Sequence, residues 1–505
     1  MKHFCYLVLI TVFITCTFNV LGQHAPSISW DTHLGGTGSD YLYCVRQTPD
    51  GGYILAGSSN SVNGDVTGAH GANDAWVVKL SATGAVQWKK AFGGSSDDMA
   101  MSIEPTWDGG YIFAGSTQSP DGDVVGIHAD WDYWIVKLSD TGGIQWQQTL
   151  GGSLADLGQS VKQTADSGYI VAGCSKSADG DVTAPHGGYD YWVMRLSRTG
   201  SLLWQRSFGG TGDDYAVSVQ QAADGGFIVA GDTYSADGDV TAHHGNDDYW
   251  MVKLSAAGSM QWQRALGGTG SDYAQSVVVA ADGGYVVAGG SNSADGDITD
   301  ARGSGDYWVA KLSTTGTLLW QHSLGGPGID AANNIATTSD GGYLLMGYCG
   351  ANGGDITGFH GTNDYWAVKI SASGTAEWQN CLGTLPVEVG WCGVQTSDSG
   401  FMVAGYSVSD SAQAWVVKLS KPTPEVVSAT AIAGISITPN PATDIITVTG
   451  VLPASIHIYN SLGQLVHNGH DTGHIAISTL LPGLYFARLL NSEGQVLYTA
   501  KIVKQ

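Results

Sequence analysis

The sequence predicts an all-β protein, a seven-bladed β-propeller followed by a small C-terminal Ig-like β-sandwich, on three observations. A Gly-aromatic pair recurs every 58 residues, a different pattern follows near the C terminus, and the first and last repeats are incomplete in complementary ways. The glycines of the recurring pair are Gly52, Gly110, Gly168, Gly226, Gly284, Gly342 and Gly400. A strand-opening pair that returns seven times at one spacing indicates seven copies of one structural unit.

The composition suits such a turn-rich repeat. The 505 residues include 73 glycines and 13 prolines, and 43 % are hydrophobic while 13 % are charged. This hydrophobic content can bury a large core, which excludes an intrinsically disordered chain. The net charge of −24 disfavours nucleic acid and anionic membrane surfaces as partners, because their phosphates repel acidic side chains.

Each unit contains four strand-like runs, which we name a, b, c and d. In the fourth unit they are predicted at 216–221, 227–233, 249–255 and 260–265. Turns of the type Asp-Gly-Gly connect a to b, and a Gly-Gly segment that ends in an acidic residue connects d to the next a. Four short antiparallel strands per repeat are typical of a propeller blade, so we predict a propeller over residues 23–421.

The two ends of the repeat complement each other. Residues 28–34 supply a d strand with no a, b or c before it, whereas the seventh unit stops after its c strand at Ser420. We therefore predict that the N-terminal d strand completes the last blade and closes the ring.

Most tryptophans follow the repeat and are predicted to pack between blades. Three depart from it: Trp107, Trp131 and Trp391. Trp131 falls in a polar b–c loop and is a candidate ligand contact.

The first 22 residues resemble a secretory signal peptide, with Lys2 before an apolar run and Gly22 near its end. We expect the mature chain to be exported and to lack an integral membrane segment. Five cysteines remain after residue 22, and Cys44 and Cys392 share one repeat position in the first and last units. Either a disulfide that closes the ring or buried free thiols would fit this placement.

A second domain is predicted at 432–505, after a linker at 422–431. It contains a Pro-Asn-Pro opening, a Leu-Gly-Gln-Leu-Val hairpin, a Pro-Gly-Leu-Tyr strand and a lysine-bearing end. These motifs resemble the C-terminal sorting domain of type IX secretion substrates of the Bacteroidota. The resemblance implies export through the type IX machinery to the outside of the cell, with removal of the domain. The residues that carry it are Pro439, Asn440, Pro441, Gly463, Gly483, Tyr485, Lys501 and Lys504.

The propeller region has its own resemblances. Residues 80–88 and 196–204 resemble the tryptophan-docking stretch of quinoprotein-like propellers. The adjacent cysteine pair of quinoprotein alcohol dehydrogenases is missing, so the likeness implies blade geometry and no quinone cofactor. The whole chain resembles secreted repeat proteins of the Bacteroidota.

The b–c loops carry recurrent acids and histidines. Loop carboxylates with glycines can bind Ca²⁺ through oxygen ligands, while the same residues can fold turns by accepting backbone N–H groups. Calcium is therefore a possible cofactor, and both interpretations stay open. The candidate metal ligands are Asp65, Asp123, Asp181, Asp239, Asp297 and Asp355, and the candidate ligand-binding histidines are His70, His128, His186, His244 and His360.

A second acidic series precedes each strand a. If strand a lines the axis, these carboxylates can ring one mouth of the channel as a cation site, or they can accept backbone N–H groups. The series is Asp40, Asp98, Asp156, Asp214, Asp272, Asp330 and Glu388.

We find no nucleophile elbow, zinc-protease motif or phosphate loop, and we identify no catalytic residues. The leading hypothesis is a non-enzymatic surface protein that binds a polysaccharide or a protein on the face formed by the b–c loops. A secreted polysaccharide hydrolase or lyase that uses loop aspartates, and a structural surface-layer protein, are the alternatives.

Overall fold

The computed structural model describes residues 25–384, 387–422, 436–449, 455–460, 465–469, 473–490 and 496–504. They belong to two compact units, Ala25–Pro422 and the described residues from 436 onward. The predicted signal peptide at 1–22, residues 423–431 of the predicted linker, and Gly463 lie outside the described residues. Within the described ranges, no helix is long and apolar enough to cross a membrane.

The described part of the first unit contains seven four-stranded antiparallel sheets that resemble propeller blades, and we call them blades. The first strand of the chain is β1 (Ile28–Leu34). Blades one to three consist of β2 (Asp40–Gln47), β3 (Tyr53–Ser59), β4 (Asp74–Leu80), β5 (Val86–Phe92); β6 (Asp98–Pro105), β7 (Tyr111–Thr117), β8 (Asp132–Leu138), β9 (Ile144–Leu150); β10 (Asp156–Gln163), β11 (Tyr169–Ser175), β12 (Asp190–Leu196), β13 (Leu202–Phe208). Blades four to six consist of β14 (Asp214–Gln221), β15 (Phe227–Thr233), β16 (Asp248–Leu254), β17 (Met260–Leu266); β18 (Asp272–Val279), β19 (Tyr285–Ser291), β20 (Asp306–Leu312), β21 (Leu318–Leu324); β22 (Ala331–Thr337), β23 (Tyr343–Cys349), β24 (Asp364–Ile370), β25 (Ala376–Leu382). Blade seven consists of β26 (Val387–Gln395), β27 (Phe401–Val408), β28 (Ala412–Leu419) and the returning β1.

Burial along the strands explains their order in each blade. Every residue of β15 and β16 is buried, whereas β17 exposes its first part and buries only its last two residues. Continuous apolar runs form strands that are covered on both faces, so b and c lie in the middle of the blade and d lies at the outer edge. The a strand is the inner edge.

Tryptophans of strand c pack between neighbouring blades, as the repeat predicts. Trp250 is fully buried, and its ring centroid lies 4.5 Å from that of Tyr191 in the preceding blade. The Tyr191 hydroxyl donates to the carbonyl of Trp250 at 2.9 Å. The same hydroxyl-to-carbonyl bond recurs in Tyr133–Trp192, Tyr249–Trp308, Tyr307–Trp366 and Tyr365–Trp415.

The inner strands form a closed ring. Strands β2, β6, β10, β14, β18, β22 and β26 contact each other in this order, and β26 contacts β2. One position of the repeat joins every blade to the next through a side chain that bonds the neighbour's backbone. These bonds are Cys44 to Ile103 O, Ser102 to Val161 N, Ser160 to Val219 N, Ser218 to Val277 N, Ser276 to Ile335 O, Asn334 to Gly393 N and Cys392 to Val45 O.

The chain ends of the first unit meet in blade seven. Strand β1 pairs antiparallel with β28, with Ile28 opposite Leu419 and Leu34 opposite Ala414. This is the pairing that the incomplete ends of the repeat predict.

The a–b turns combine an aspartate with a buried cation from strand c. Asp224 accepts the Gly226 N–H at 2.9 Å, and Lys253 Nζ lies 2.8 Å from Asp224 Oδ2. The Lys253 side chain is 2 % exposed and also donates to the Leu254 carbonyl. Equivalent pairs are Lys79–Asp50, Lys137–Asp108, Arg195–Asp166, Lys311–Asp282, Lys369–Asp340 and Lys418–Asp398.

The second unit contains two antiparallel sheets, one of order β29-β30-β33 and one of order β32-β31-β34-β35. Ile446, Ile458 and Ile475 lie in its buried core. Asn440 accepts the Val503 N–H at 2.9 Å and donates to the Lys501 carbonyl, so the Pro-Asn-Pro segment is bonded to the last strand. The strands are β29 (Ser436–Thr438), β30 (Ile445–Thr449), β31 (Ser455–Asn460), β32 (Leu465–Gly469), β33 (His474–Ala476), β34 (Gly483–Leu490) and β35 (Val496–Lys504).

Candidate ligand-binding channel

Each long b–c loop ends at a buried aspartate that begins strand c. In blade two, Asp132 Oδ2 accepts the backbone N–H of His128 at 2.7 Å and lies 2.9 Å from its Nδ1. The aspartate therefore closes the loop as an acceptor of backbone N–H groups. The same bond from the residue four positions earlier recurs at Asp74, Asp190, Asp248, Asp306 and Asp364.

Three of the loop histidines reach the next blade. Nε2 of His128 lies 3.7 Å from Asp181, and Nε2 of His186 lies 3.7 Å from Asp239. Where the loop of blade five carries Arg302 in place of histidine, the guanidinium lies 3.3 Å from Asp355. The other contacts between blades are His70–Asp123 and Arg264–Asp297, whereas Lys89–Asp65, His244–Asp248 and His360–Asp364 each lie within one blade.

These pairs shift the titration of their members. Burial raises the pKa of Asp190 to about 6, although backbone N–H groups and His186 oppose the shift. Burial lowers the pKa of His128, but its hydrogen bond to Asp132 and the charges of Asp132 and Asp181 outweigh it, so the pKa is raised overall. His128 thus connects two adjacent loops more strongly when its ring is protonated.

The acidic series before strand a lies inside the blades. Asp214 is fully buried, and it accepts the hydroxyls of Thr233 and Ser235 and the N–H of Gly210. Asp40, a second member of the series, is buried in the same way. These carboxylates begin the inner strands and point at hydroxyls of their own blade, which differs from a ring around the channel mouth. The other members, Asp98, Asp156, Asp272, Asp330 and Glu388, are also buried.

Within the residues that the structure describes, no three His, Cys, Asp or Glu side chains come together as a ligand set for a metal ion. The loop acids instead face protein cations and backbone N–H groups. Calcium binding stays a prediction, and a chelator that lowers the melting temperature would support it.

A cavity of about 390 Å³ lies on the axis and is lined by strand a of every blade. Its walls carry amides and hydroxyls together with two aromatic side chains, Tyr43 and Trp391. The Nε1 atom of Trp391 is buried without a hydrogen-bond partner, and the ring lies 5.5 Å from that of Tyr43. We call this cavity the channel.

The channel wall departs from the repeat. At one lining position the seven blades carry six kinds of residue, with glutamine twice: Tyr43, Met101, Gln159, Val217, Gln275, Asn333 and Trp391. These side chains face a cavity, so close packing does not force the blades to carry the same residue here. The channel wall therefore differs chemically from blade to blade.

Three charged side chains of blades one to three form a cluster in the wall. Arg46 Nε lies 2.8 Å from Glu104 Oε1, and Lys162 bonds the same oxygen. The three side chains are 16–20 % exposed. One carboxylate thus faces two cations.

Tyrosines surround the mouth of the channel on the face of the b–c loops. Tyr41 precedes Tyr43 on strand β2 and stacks on it at 6.3 Å, while its edge meets Tyr406 of blade seven at 4.9 Å. Across the mouth, Tyr215 lies 5.1 Å from Tyr189 and 6.4 Å from Tyr234. All five rings are partly exposed. Burial raises the pKa of Tyr189 and Tyr406, so these phenols stay neutral donors.

Trp131 occupies the same repeat position as Tyr189, at the end of a b–c loop. It is half-buried, and its carbonyl accepts the Asp156 N–H at 2.6 Å. The structure therefore places this predicted ligand contact at the loop end next to strand c.

Blade four adds a buried acid that the other blades lack. Asp232 is paired with Tyr215 across strands β14 and β15 and is 9 % exposed. Burial, followed by the charges of Asp247 and Asp214, raises the pKa of Asp232 to about 8. Asp247 is also buried, with its Oδ1 unpartnered. The equivalent of Asp232 in blades one and two is serine, and this difference between repeats is the signal that could have identified it.

Comparisons with known proteins identify one part of the chain. Residues 436–505 match the model of the secretion system C-terminal sorting domain, which confirms the resemblance expected from the Pro-Asn-Pro and Pro-Gly-Leu-Tyr motifs. Tyr485 of this domain donates its hydroxyl to the Leu481 carbonyl, and Gly483 pairs with Lys504 at the start of β34.

The chain also resembles a curated protein over about half of its length. The regulatory protein FlaEY of Caulobacter vibrioides is 26 % identical over 270 residues, which is 47 % of this chain and 28 % of the relative. This chain thus spans less than a third of that relative's length.

Two solved structures overlap most of the chain. A fungal alcohol oxidase of the AA5 family in complex with copper is 12 % identical with a TM-score of 0.45, covering 95 % of this chain and 99 % of that chain. BamB from Moraxella catarrhalis is 14 % identical with a TM-score of 0.36, covering 95 % and 100 %. TM-scores this low do not establish a shared fold.

The C-terminal unit and the repeated sheets before it thus indicate what class of protein this chain is. The sorting domain implies interaction with the type IX secretion machinery. The C-terminal unit is a type IX secretion sorting domain, and the chain that carries it is a secreted, cell-surface protein built from propeller-like blades.

Proposed function

We propose that this chain is a secreted, seven-bladed propeller that binds a polysaccharide at the tyrosine-lined mouth of its channel, and that its sorting domain has an Ig-like arrangement. The single observation that carries the binding proposal is a pair of partly exposed tyrosine clusters, Tyr41 with Tyr406 and Tyr215 with Tyr189, at the b–c loop end of the strands that line a polar cavity. The repeat itself is a rigid scaffold for that mouth.

The chemistry of the mouth suits a sugar. Tyrosine combines an apolar ring face with a polar hydroxyl, so it can cover the C–H face of a sugar ring and bond its hydroxyl groups. The rings of Tyr41 and Tyr215 are held by aromatic neighbours, which limits the conformational entropy that binding would cost.

The channel beneath the mouth suits a chain end. Its volume of about 390 Å³ lies in the range of small-molecule sites, and Gln159, Gln275 and Asn333 line it with amide donors and acceptors. Amides of this kind can bond the hydroxyl groups of a terminal sugar. We infer that the end of a polysaccharide enters the channel while inner sugars lie on the tyrosines.

A glycan array with the purified full chain tests this proposal. A bound glycan should lose about tenfold in affinity with Tyr215→Ala or Tyr406→Ala, because truncation of a central aromatic contact typically costs about 1.4 kcal/mol. Trp107→Ala is the matched control, since Trp107 is 67 % exposed on an a–b turn at the opposite face, and it should leave affinity unchanged.

Three results would contradict the proposal. One is the absence of binding to any glycan. Another is an equal loss of affinity in Trp107→Ala and Tyr215→Ala. The third is binding to a surface or matrix protein alone, which would replace the polysaccharide by a protein ligand at the same face.

The buried acid of blade four, Asp232, supports a second candidate function, that of a polysaccharide hydrolase. A carboxyl group with a pKa of about 8, such as that of Asp232, stays protonated at neutral pH and can serve as a general acid. Asp247, whose charge raises that pKa, would then be the partner carboxylate. Release of sugars from a bound glycan, lost in Asp232→Asn while binding is kept, would establish this candidate. Intact glycan after prolonged incubation would exclude it.

A further inference from the structure

Two cysteines meet where the ring closes. Cys44 lies on β2 of blade one and Cys392 on β26 of blade seven, at the same position of the repeat. Both line the channel, and they are 3 % and 2 % exposed. Blades two to five carry serine at this position, so cysteine occurs on both sides of one blade boundary.

The local geometry places the Cys392 thiol beside the segment that carries Cys44. The Cys392 thiol lies 3.6 Å from the carbonyl of Val45, the residue directly after Cys44. The two thiols influence each other's ionisation, which raises the pKa of Cys44 and lowers that of Cys392. Arg46 Nη1 donates to Cys392 Sγ at 3.3 Å.

We propose that Cys44 and Cys392 form a disulfide that covalently joins blade one to blade seven after the protein has left the reducing interior of the cell. The inference does not depend on the polysaccharide proposal. It uses the secreted location that the sorting domain establishes, because disulfides persist outside the cytosol.

The reaction is thiol–disulfide exchange with a small-molecule or protein disulfide as the oxidant. The Cys392 thiolate attacks one sulfur of the oxidant, its disulfide bond breaks, and one thiolate leaves. Cys44 loses its proton and attacks Cys392 Sγ in the mixed disulfide, and the second thiolate of the oxidant leaves. The cysteines are oxidised by two electrons, and the oxidant is reduced to two thiols that take up the two protons.

The electrostatics favour Cys392 as the attacking group. The interaction with Cys44 and the positive charge of Arg46 lower the pKa of Cys392, against the opposing effect of burial. The thiolate, which is the reactive form, is therefore favoured at Cys392 over Cys44.

Another pair offers a contrast. Cys349 Sγ and Cys381 Sγ lie 3.5 Å apart within blade six. We expect oxidation at the ring junction first, because Arg46 Nη1 donates to Cys392 Sγ at 3.3 Å and its positive charge stabilises the attacking thiolate.

Non-reducing peptide mapping of the full chain tests the proposal. The protein is exposed to oxidised glutathione, denatured, alkylated and digested. The expected product is a Cys44 peptide linked to a Cys392 peptide, with Cys174 alkylated as a free thiol. Alkylation of both Cys44 and Cys392 as free thiols would overturn the proposal, and so would a Cys349–Cys381 linkage alone.

Thermal unfolding gives a second readout. Reduction should lower the melting temperature of the oxidised wild type by about 3–5 °C, because the link closes a very long loop of the unfolded chain. The Cys44→Ser/Cys392→Ser variant should show no response to reductant. Cys174→Ser is the matched control, since other blades carry serine there, and it should keep the full response. If reduction leaves the melting temperature of the oxidised wild type unchanged, a stabilising disulfide between Cys44 and Cys392 is contradicted.

Discussion

Nε2 of His128 lies 3.7 Å from Oδ2 of Asp181, across the boundary between blades two and three. The histidine comes from one b–c loop and the aspartate from the next, so a single imidazole connects two loops. Its Nδ1 is held at 2.9 Å by Asp132 of its own loop. The imidazole therefore lies between two carboxylates, and the strength of both contacts depends on the protonation of the ring.

The contacts of His128 predict a pH-dependent contribution to stability. Its pKa is raised in the folded state, so the contribution is complete below the ordinary histidine pKa of about 6.5 and disappears as pH rises through the folded value. His128→Ala should lower the free energy of unfolding by about 0.5 kcal/mol at pH 6 and by almost nothing at pH 9, a modest value because the side chain is 35 % exposed. Urea unfolding at both pH values measures this difference. His128→Arg, which copies Arg302, should remove the pH dependence and keep the stability.

Replacement of the buried Asp232 is predicted to stabilise the protein, in contrast to His128→Ala. The raised pKa of Asp232 means that the folded state binds a proton more tightly than the unfolded state, so stability falls as pH rises from about 4 to about 8. Asp232→Ser, which copies Ser58 and Ser116, should raise the free energy of unfolding at pH 8 by roughly 2 kcal/mol and change it little at pH 4. A variant that is less stable at pH 8 would show that the buried carboxyl has a compensating partner.

Gly231 predicts a large steric effect. A Cβ at this position on strand β15 would lie 1.9 Å from the carbonyl oxygen of Tyr215, which no real contact allows. Gly231→Ala should cost more than about 3 kcal/mol or prevent folding. Gly225→Ala is the control: its φ is +80° and nothing surrounds its Cβ, so only about 1 kcal/mol is expected. Similar melting temperatures for the two variants would contradict the close approach of the strands.

The a–b turn pairs predict a loss of stability in acid. The Thr396 hydroxyl, the Gly400 N–H and Lys418 together outweigh burial and lower the pKa of Asp398 to about 2. Its contribution is present above the ordinary aspartate pKa of about 4 and is lost as pH falls through the folded value. Asp398→Asn should lower the free energy of unfolding by less than about 1 kcal/mol at pH 7, because the carboxylate is 64 % exposed, and by progressively less as the pH falls towards 2.

Lys418→Ala should lower the free energy of unfolding more than Asp398→Asn does. The lysine is 5 % exposed and donates to the Leu419 carbonyl, so its removal leaves a buried acceptor and a cavity. A smaller effect of the lysine change in denaturant unfolding at pH 7 would contradict this order.

The repeat made most of the fold predictable. The four strands of blade four were expected at nearly the residues where they occur, because glycine pairs and alternating apolar residues mark every strand. The inner strand begins at Asp214, two residues before the predicted start, because Asp214 and Tyr215 pair with Thr233 and Asp232. An aspartate beside glycines suggests a turn, and the sequence alone does not reveal the two hydroxyls that let it enter a strand.

The candidate site was less predictable. The repeated histidines and acids of the b–c loops carried the functional prediction, yet in the structure they lie close to one another within and between blades. Tyr41 and Tyr215 share one repeat position, directly after the acid that precedes strand a, but only the closed ring brings Tyr41 of blade one to Tyr406 of blade seven. Comparing the seven repeats position by position along strand a would have shown where they differ.

The pairing of β1 with β28 also sets an order of events during synthesis and export. Ile28–Leu34 leaves the ribosome before almost all of the chain, but its partner Ala412–Leu419 is made nearly four hundred residues later. Until then the seventh sheet lacks its outer strand, and β1 has an unsatisfied edge that can pair wrongly. A chain that stops before Ala412 lacks the partner of β1, so blade seven is completed only after the last strand of the first unit has been made.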